Sequence, residues 1–286
     1  MGRLDGKVAL VSGAARGQGR SHAVRLAEEG ADIIAFDVCE QMANVPYPMS
    51  TESDLDTTAG QVEALDRRVV AGKVDVRDSG SVVDFVSDAV GRLGRLDVVV
   101  ANAGIAPMGN LPTSAFLDVV QVNLNGVVNT IAAATPYLST GASVVAIGSV
   151  AGLRMGRSED GSSSTGPGGA GYGFSKRAVA ALVHSLAREL GRDGIRVNAI
   201  HPTNVATPML LNSMMFGVFA PGSDDPSYEE ADPGFRSMHV LDVPYVEAQD
   251  VSNAVVFLAS DESRMITGQQ LKVDAGCMLS EPYQGA

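Results

Sequence analysis

The sequence predicts an α/β protein with a single doubly wound domain, a seven-stranded parallel sheet flanked by helices. Three observations carry this. Seven short runs rich in Val, Ile and Ala recur at 7–12, 32–36, 69–75, 97–101, 143–148, 195–200 and 270–274. They are continuously apolar rather than alternating, as strands covered on both faces of a parallel sheet are. Longer stretches with helical periodicity at 17–29, 79–93, 114–138, 172–190 and 246–259 fall between them, and such alternation implies right-handed crossovers. The segments 39–60, 154–171 and 203–244 break the rhythm. None is apolar enough for a second core, so residues 1–286 read as one domain with two insertions and a lid.

The elements follow in order. The first strand runs into Gly13-Ala14-Ala15-Arg16-Gly17-Gln18-Gly19, and a helix follows. Glycines there let the backbone turn tightly beside a pyrophosphate, and the helix N-terminus offers free N–H groups to it. The spacing is GxxxGxG, not GxGxxG. With the alternating elements this makes the fold Rossmann-type. Asp37 ends the second strand, followed by Val38. A carboxylate there accepts the hydroxyls of an adenosine ribose and repels a 2′-phosphate, which favours NAD over NADP. Arg16 is a counter-signal, since a basic side chain in the turn is able to pair with that phosphate. In 39–60, Pro46, Pro48 and acidic residues predict loop over the first half.

Asn123 stands in an otherwise apolar helical stretch, where a polar amide needs a partner; a water and a backbone group are both open. Ser149 follows the fifth strand and is placed to hold a carbonyl or alcohol oxygen. The segment 154–171, rich in Gly and Ser, reads as a flexible insertion, and Ser162–Ser164 within it are too far from the strand end to replace Ser149. Tyr172 and Lys176 open the next helix one turn apart, on one face. An ammonium group stabilises phenolate, so this pair suits proton exchange with a substrate hydroxyl. Met209, Leu210, Met214, Met215, Phe216 and Phe219 form either an adaptable apolar lid or ordinary core and interface packing.

Composition narrows the classes. Hydrophobic residues make up 45% and charged residues 19%, enough to build a core and too apolar for disorder. A net charge of −12 disfavours nucleic acid and anionic lipid as partners. Cys39 and Cys277 have no CxxC partner, so neither disulfide framework nor zinc site is expected. His22, His184, His201 and His239 lack metal-ligand spacing and read as structural or surface residues; no metal is expected. The apolar run 8–11 is too short for a signal-peptide core and no stretch reaches a membrane span, so a soluble cytoplasmic protein with no membrane partner is expected.

Together these motifs resemble the short-chain dehydrogenase/reductase family over nearly the whole chain. Its TGxxxGxG turn is similar to Ser12-Gly13 through Gly19, and its NNAG strand end to Ala101-Asn102-Ala103-Gly104. The resemblance assigns adenine contact to Asp75, followed by Val76, and catalysis to Asn123, Ser149, Tyr172 and Lys176. The family's PG segment is altered to His201-Pro202-Thr203-Asn204-Val205, implying that Pro202, Thr203 and Val205 lie at the nicotinamide. The serine and tyrosine stand at 149 and 172, a gap of 23 residues against about a dozen in the family, and the Gly/Ser insertion accounts for it. The 45–56 insertion, the HPTNV segment and the ending Gly268 to Gly276 resemble a narrower mycofactocin-associated, carveol-dehydrogenase-like group. That likeness implies tightly held NAD, a peptide-derived redox carrier as electron acceptor, and a homotetramer built on the helices at 114–138 and 172–190 and on the C-terminal segment.

Three functions are thus in play: an NAD-dependent dehydrogenase of a hydrophobic secondary alcohol, cyclic ones included, and its ketone; an NADP-dependent 3-oxoacyl-thioester reductase, supported by Arg16; and a dinucleotide sensor without turnover, opposed by the complete Asn, Ser, Tyr, Lys set.

Overall fold

The computed structural model describes residues 2–154, 165–223 and 225–279. The strands are β1 (Val8–Ser12), β2 (Asp32–Asp37), β3 (Val69–Lys73), β4 (Val98–Ala101), β5 (Ser143–Ile147), β6 (Arg196–Pro202) and β7 (Gln270–Val273). They form one sheet in the order β3-β2-β1-β4-β5-β6-β7, parallel throughout. The helices are α1 (Gly17–Glu28), α2 (Glu52–Glu63), α3 (Ser79–Leu93), α4 (Ser114–Val120), α5 (Gly126–Ala134), α6 (Val150–Leu153), α7 (Gly166–Leu190), α8 (Ser213–Phe219), α9 (Tyr228–Ser237) and α10 (Ala248–Ala259).

Successive strand side chains point to opposite faces, so each strand feeds two cores. Val8, Leu10, Ile34 and Phe36 pack with α3, α4, α5 and α7. Ala9, Val11, Ile33 and Ala35 pack with α1, α2 and α10. Cover on both faces fails at the two edges: β3 and β7 retain half-buried and exposed residues, because an edge strand has a neighbour on one side only.

Several element boundaries differ from the sequence reading. The stretch 114–138 is not one helix. A π turn at Gln121–Asn125, where Gly126 N donates to Gln121 O, separates α4 from α5, and a 3-10 turn carrying Pro136 ends the run. Helix α7 starts at Gly166, with Pro167 in its first turn, so Tyr172 lies inside it rather than at its start. Helix α10 begins at Ala248, after a capping box formed by Glu247 and Asp250. The second half of 39–60 enters α2, started by a Thr51–Asp54 capping box. The lid segment holds α8 and α9, the latter capped by Ser227 and Glu230. Residues 155–164 of the insertion, with Ser162–Ser164, lie outside the described residues.

No described helix is long and apolar enough to cross a membrane, and no metal-binding cluster of His, Cys, Asp and Glu occurs among the described residues. Ile34 is completely buried in β2. Ile34→Ala is expected to cost about 2–5 kcal/mol of stability, read from the shift of the denaturant midpoint.

Candidate active site

Strand order reverses between β1 and β4, opening a crevice at their carboxyl ends. Side chains close its floor. The Ser12 hydroxyl accepts from Asn102 N at 3.0 Å and Ala103 N at 3.2 Å, while Asn102 Nδ2 donates to Ser12 O at 3.0 Å and Gly13 O at 3.2 Å. Gly13 has a φ of +67°, and a Cβ on Gly19 would stand 1.9 Å from Gly13 O. Only glycine lets the turn cross itself there.

The groove is lined by Gly13, Arg16, Gly17, Gln18, Gly19, Asp37, Val38, Asp75, Val76, Asn102, Ala103 and Gly104, all predicted from sequence. It is also lined by the expected lid residue Met209 and by residues the sequence reading missed: Met42, Tyr47, Met49 and Ser50 from a strap at 39–51, Ile105 and Val122, and Thr207 and Pro208 from the lid. The only sequence signal for the strap was Tyr47 between two prolines. Three ties fasten it. Ser50 Oγ donates to Asp37 Oδ1 at 2.7 Å, Ala106 N donates to the Tyr47 hydroxyl at 3.0 Å, and the Arg16 guanidinium donates to Pro48 O. Arg16 is therefore spent on the strap instead of standing ready for a phosphate. Asp37 Oδ2 accepts from Ala15 N at 3.0 Å, which aims the carboxylate along the turn. Gln18 Oε1 is buried without a protein partner where the groove meets a second cavity. This orphaned acceptor, the glycine cradle and the oriented carboxylate fit a dinucleotide.

The second cavity, about 420 Å³, is walled by Gly148, Ser149, Tyr172 and Pro202, Thr203, Asn204 and Val205. It joins the groove at Gln18, Thr207 and Met209. The apolar lid residues divide between the two readings. Met209, Leu210, Met215 and Phe219 line the cavity. Met214 Sδ instead accepts from Met108 N, and the Phe216 ring packs against Tyr228 and Phe235.

Ser149 caps α6, its hydroxyl accepting from Ala151 N at 3.2 Å, and it shares the cavity wall with Tyr172. Lys176 is buried beneath them. Its Nζ donates to Ile147 O at 2.7 Å and lies 5.7 Å from the centre of the Tyr172 ring. Burial pulls the lysine down to about 8 and pushes the Tyr172 phenol above its ordinary value, against the Ser149 hydroxyl, which lowers it. In the protein by itself, desolvation is the larger influence on the phenol. For Asn123 the backbone alternative holds. Its Oδ1 accepts from Ile105 N at 2.8 Å and its Nδ2 donates to Ile105 O at 2.9 Å. Thr203 Oγ1 bonds His239 Nε2 at 2.7 Å, and His239 Nδ1 bonds Val243 O at 2.7 Å, a lid contact the sequence did not reveal.

The lysine shift sets a pH signature. A folded pKa below the unfolded value means the unfolded chain binds more protons between about 8 and 10.5, so stability rises with pH across that window. Denaturant midpoints of the wild type are expected to gain on those of Lys176→Met from pH 8 to 10.5, with a constant difference below pH 7.

The sequence profile described as enoyl-(acyl carrier protein) reductase matches residues 13–278. The chain is 42% identical to (−)-trans-carveol dehydrogenase of Rhodococcus erythropolis, over 98% of this chain and 100% of that protein. It is 46% identical to a putative short-chain type dehydrogenase/reductase of Mycolicibacterium smegmatis, over 97% and 99%. Among solved structures, carveol dehydrogenase from Mycobacterium avium in complex with NAD superposes with a TM-score of 0.90 at 45% identity, covering 98% of this chain and 100% of that one.

Proposed function

The chain belongs to the short-chain dehydrogenase/reductase family, and from that premise we propose that it is an NAD-dependent dehydrogenase that interconverts a hydrophobic, cyclic secondary alcohol and its ketone. The observation that carries the reading is the meeting of the two cavities at Gln18, Thr207 and Met209, with Ser149 and Tyr172 on the wall of the second. The dinucleotide groove ends where the apolar cavity begins, so a carbinol carbon in the cavity lies beside the end of the groove. The carveol dehydrogenases support a cyclic substrate, and the NAD complex supports the cofactor.

NAD, when bound, supplies the hydride acceptor and, in its oxidised form, a positive ring at the junction. The chain's own residues do the rest. Ser149 holds the substrate oxygen by its hydroxyl. Tyr172 takes the hydroxyl proton in oxidation and returns it in reduction. Lys176 holds the nicotinamide ribose and, when charged, favours the phenolate. Asn123 anchors the Ile105 backbone, keeping the wall after β4 in place and supporting the water path to Lys176. Gly13, Gly17, Gln18 and Gly19 hold the pyrophosphate side, Arg16 fastens the strap beside it, and Asp37 with Val38 holds the adenosine ribose. Asp75 and Val76 take the adenine, Asn102, Ala103 and Gly104 the middle, and Pro202, Thr203 and Val205 the nicotinamide. The NADP reading loses its support, since Arg16 is engaged by Pro48 while Asp37 presents a carboxylate.

The rest of the reading is a cytoplasmic homotetramer, one domain over 1–286, that keeps its NAD and passes electrons to a peptide-derived carrier. Leu117, Val128 and Phe174, exposed on α4, α5 and α7, suit one interface, and exposed Met265 and Leu279 another. The strap over the groove suits retention.

Two measurements test the proposal. Tyr172→Phe is expected to lower kcat for a turned-over cyclic alcohol by about 10²–10⁴-fold; a variant with most of its activity left would overturn the mechanism. Mass spectrometry of the purified, denatured protein is expected to detect NAD and no NADP, and a preparation carrying NADP would reverse the cofactor assignment.

A further inference from the structure

Behind Ser149 lies the buried side chain of His201, joined to the half-buried Gln270, which the reaction scheme does not use. The β5–β6 ladder pairs Ile147 with Ile200, and Gly148 N still donates to Ile200 O at 2.7 Å. Beyond that the ladder has no backbone acceptor for Ser149 N. The amide meets a side chain instead: His201 Nδ1 stands 3.1 Å from Ser149 N and 2.9 Å from Ser149 O. A buried N–H left unpaired is costly, so this contact replaces a missing rung.

The ring's protonation pattern follows from its other neighbours. Gln270 Nε2 donates to Ala180 O at 3.1 Å and reaches His184 Nε2 at 3.2 Å, which turns Gln270 Oε1 toward His201. His201 Nε2 lies 2.6 Å from that oxygen and therefore carries the hydrogen. Nδ1 is then bare and accepts from Ser149 N–H at 3.1 Å, and its 2.9 Å approach to Ser149 O is a contact between two acceptors rather than a hydrogen bond. The ring is completely buried and seated against Gly148, where a Cβ would come within 2.4 Å of it. Burial, the largest influence, and the neighbouring Lys176 charge favour the neutral ring and outweigh the Ser149 backbone and Gln270 contacts, which favour the charged one. Ala180 and His184 continue the stripe of Tyr172 and Lys176 along α7, at steps of four residues. His201 and Gln270 thus tie the strand end bearing the serine to the helix bearing the tyrosine.

We propose that His201, as the neutral Nε2–H tautomer oriented by Gln270, is a positioning residue that sets the Ser149 backbone and thereby the distance of its hydroxyl from Tyr172. The inference rests on the role given above to Ser149, so Ser149→Ala is measured beside it. In His201→Leu, kcat is expected to fall about 10- to 100-fold, the scale of a misplaced reacting group, with KM for NAD changed less than about twofold, within uniform binding. His201→Asn, whose Oδ1 takes the place of Nδ1, is expected to recover kcat to within about fivefold of wild type, since it restores the one hydrogen bond. A merely space-filling ring would be rescued by leucine rather than asparagine. In ¹⁵N-histidine NMR of the whole protein, His201 is expected to show a protonated Nε2 and an unprotonated Nδ1.

A protonated Nδ1 overturns the inference. So does a normal kcat in His201→Leu while Ser149→Ala is impaired. A normal kcat in Ser149→Ala overturns the role of the serine and the inference with it. If His201→Leu does not fold, Gln270→Leu decides: lowered kcat with a changed tautomer balance supports the proposal, and an unchanged kcat and tautomer overturn it.

Discussion

The reversal of strand order between β1 and β4 is the constraint on which the site depends. Crossovers leave these neighbours toward opposite ends of the sheet, so no helix covers the gap between their carboxyl ends. Backbone polar groups at that gap need partners, and Ser12 and Asn102 supply them. With the gap held open, each strand end delivers one part: the glycine turn after β1, Asp37 at the end of β2, Asp75 after β3, Asn102 after β4, Ser149 after β5 and Thr203 after β6.

The chemistry then depends on desolvation. Lys176 and Tyr172 sit in an interior where burial moves them in opposite directions, the ammonium down and the phenol up. Both shifts favour uncharged forms. The protein alone therefore holds the pair back from ionising, and the Ser149 hydroxyl opposes this at the tyrosine. A positive group at the junction would tip the balance toward phenolate, which couples proton transfer to occupancy of the groove.

Much of this was legible in the chain. Continuous Val and Ile runs identify buried parallel strands because such strands have no solvent face to mark, and all seven were found within a few residues of their ends. The glycine turn was legible because a self-crossing backbone tolerates no side chain. Other features were hidden. The interrupted helix at 121–125 looked continuous because its residues have apolar helical periodicity; the partner accompanying the break, Ile105, is a loop residue met only after folding. Arg16 looked like a phosphate ligand because its acceptor, the Pro48 carbonyl, lies across the groove. His201 and His239 looked unremarkable because their partners come from β5, β7 and the lid.

By itself, the sequence determined the parallel sheet and the self-crossing glycine turn, and it singled out Asn123, Ser149, Tyr172 and Lys176 as candidates. These follow from short-range periodicity, from steric limits on the backbone and from residue chemistry, which are local. Only the tertiary structure decided that the strap closes on Asp37 and Arg16, that Asn123 grips Ile105, and that His201 stands behind Ser149. It also decided the sense of the Tyr172 shift. Those outcomes depend on hydrogen bonds between distant segments and on the loss of water around buried groups, neither of which exists until the chain has packed.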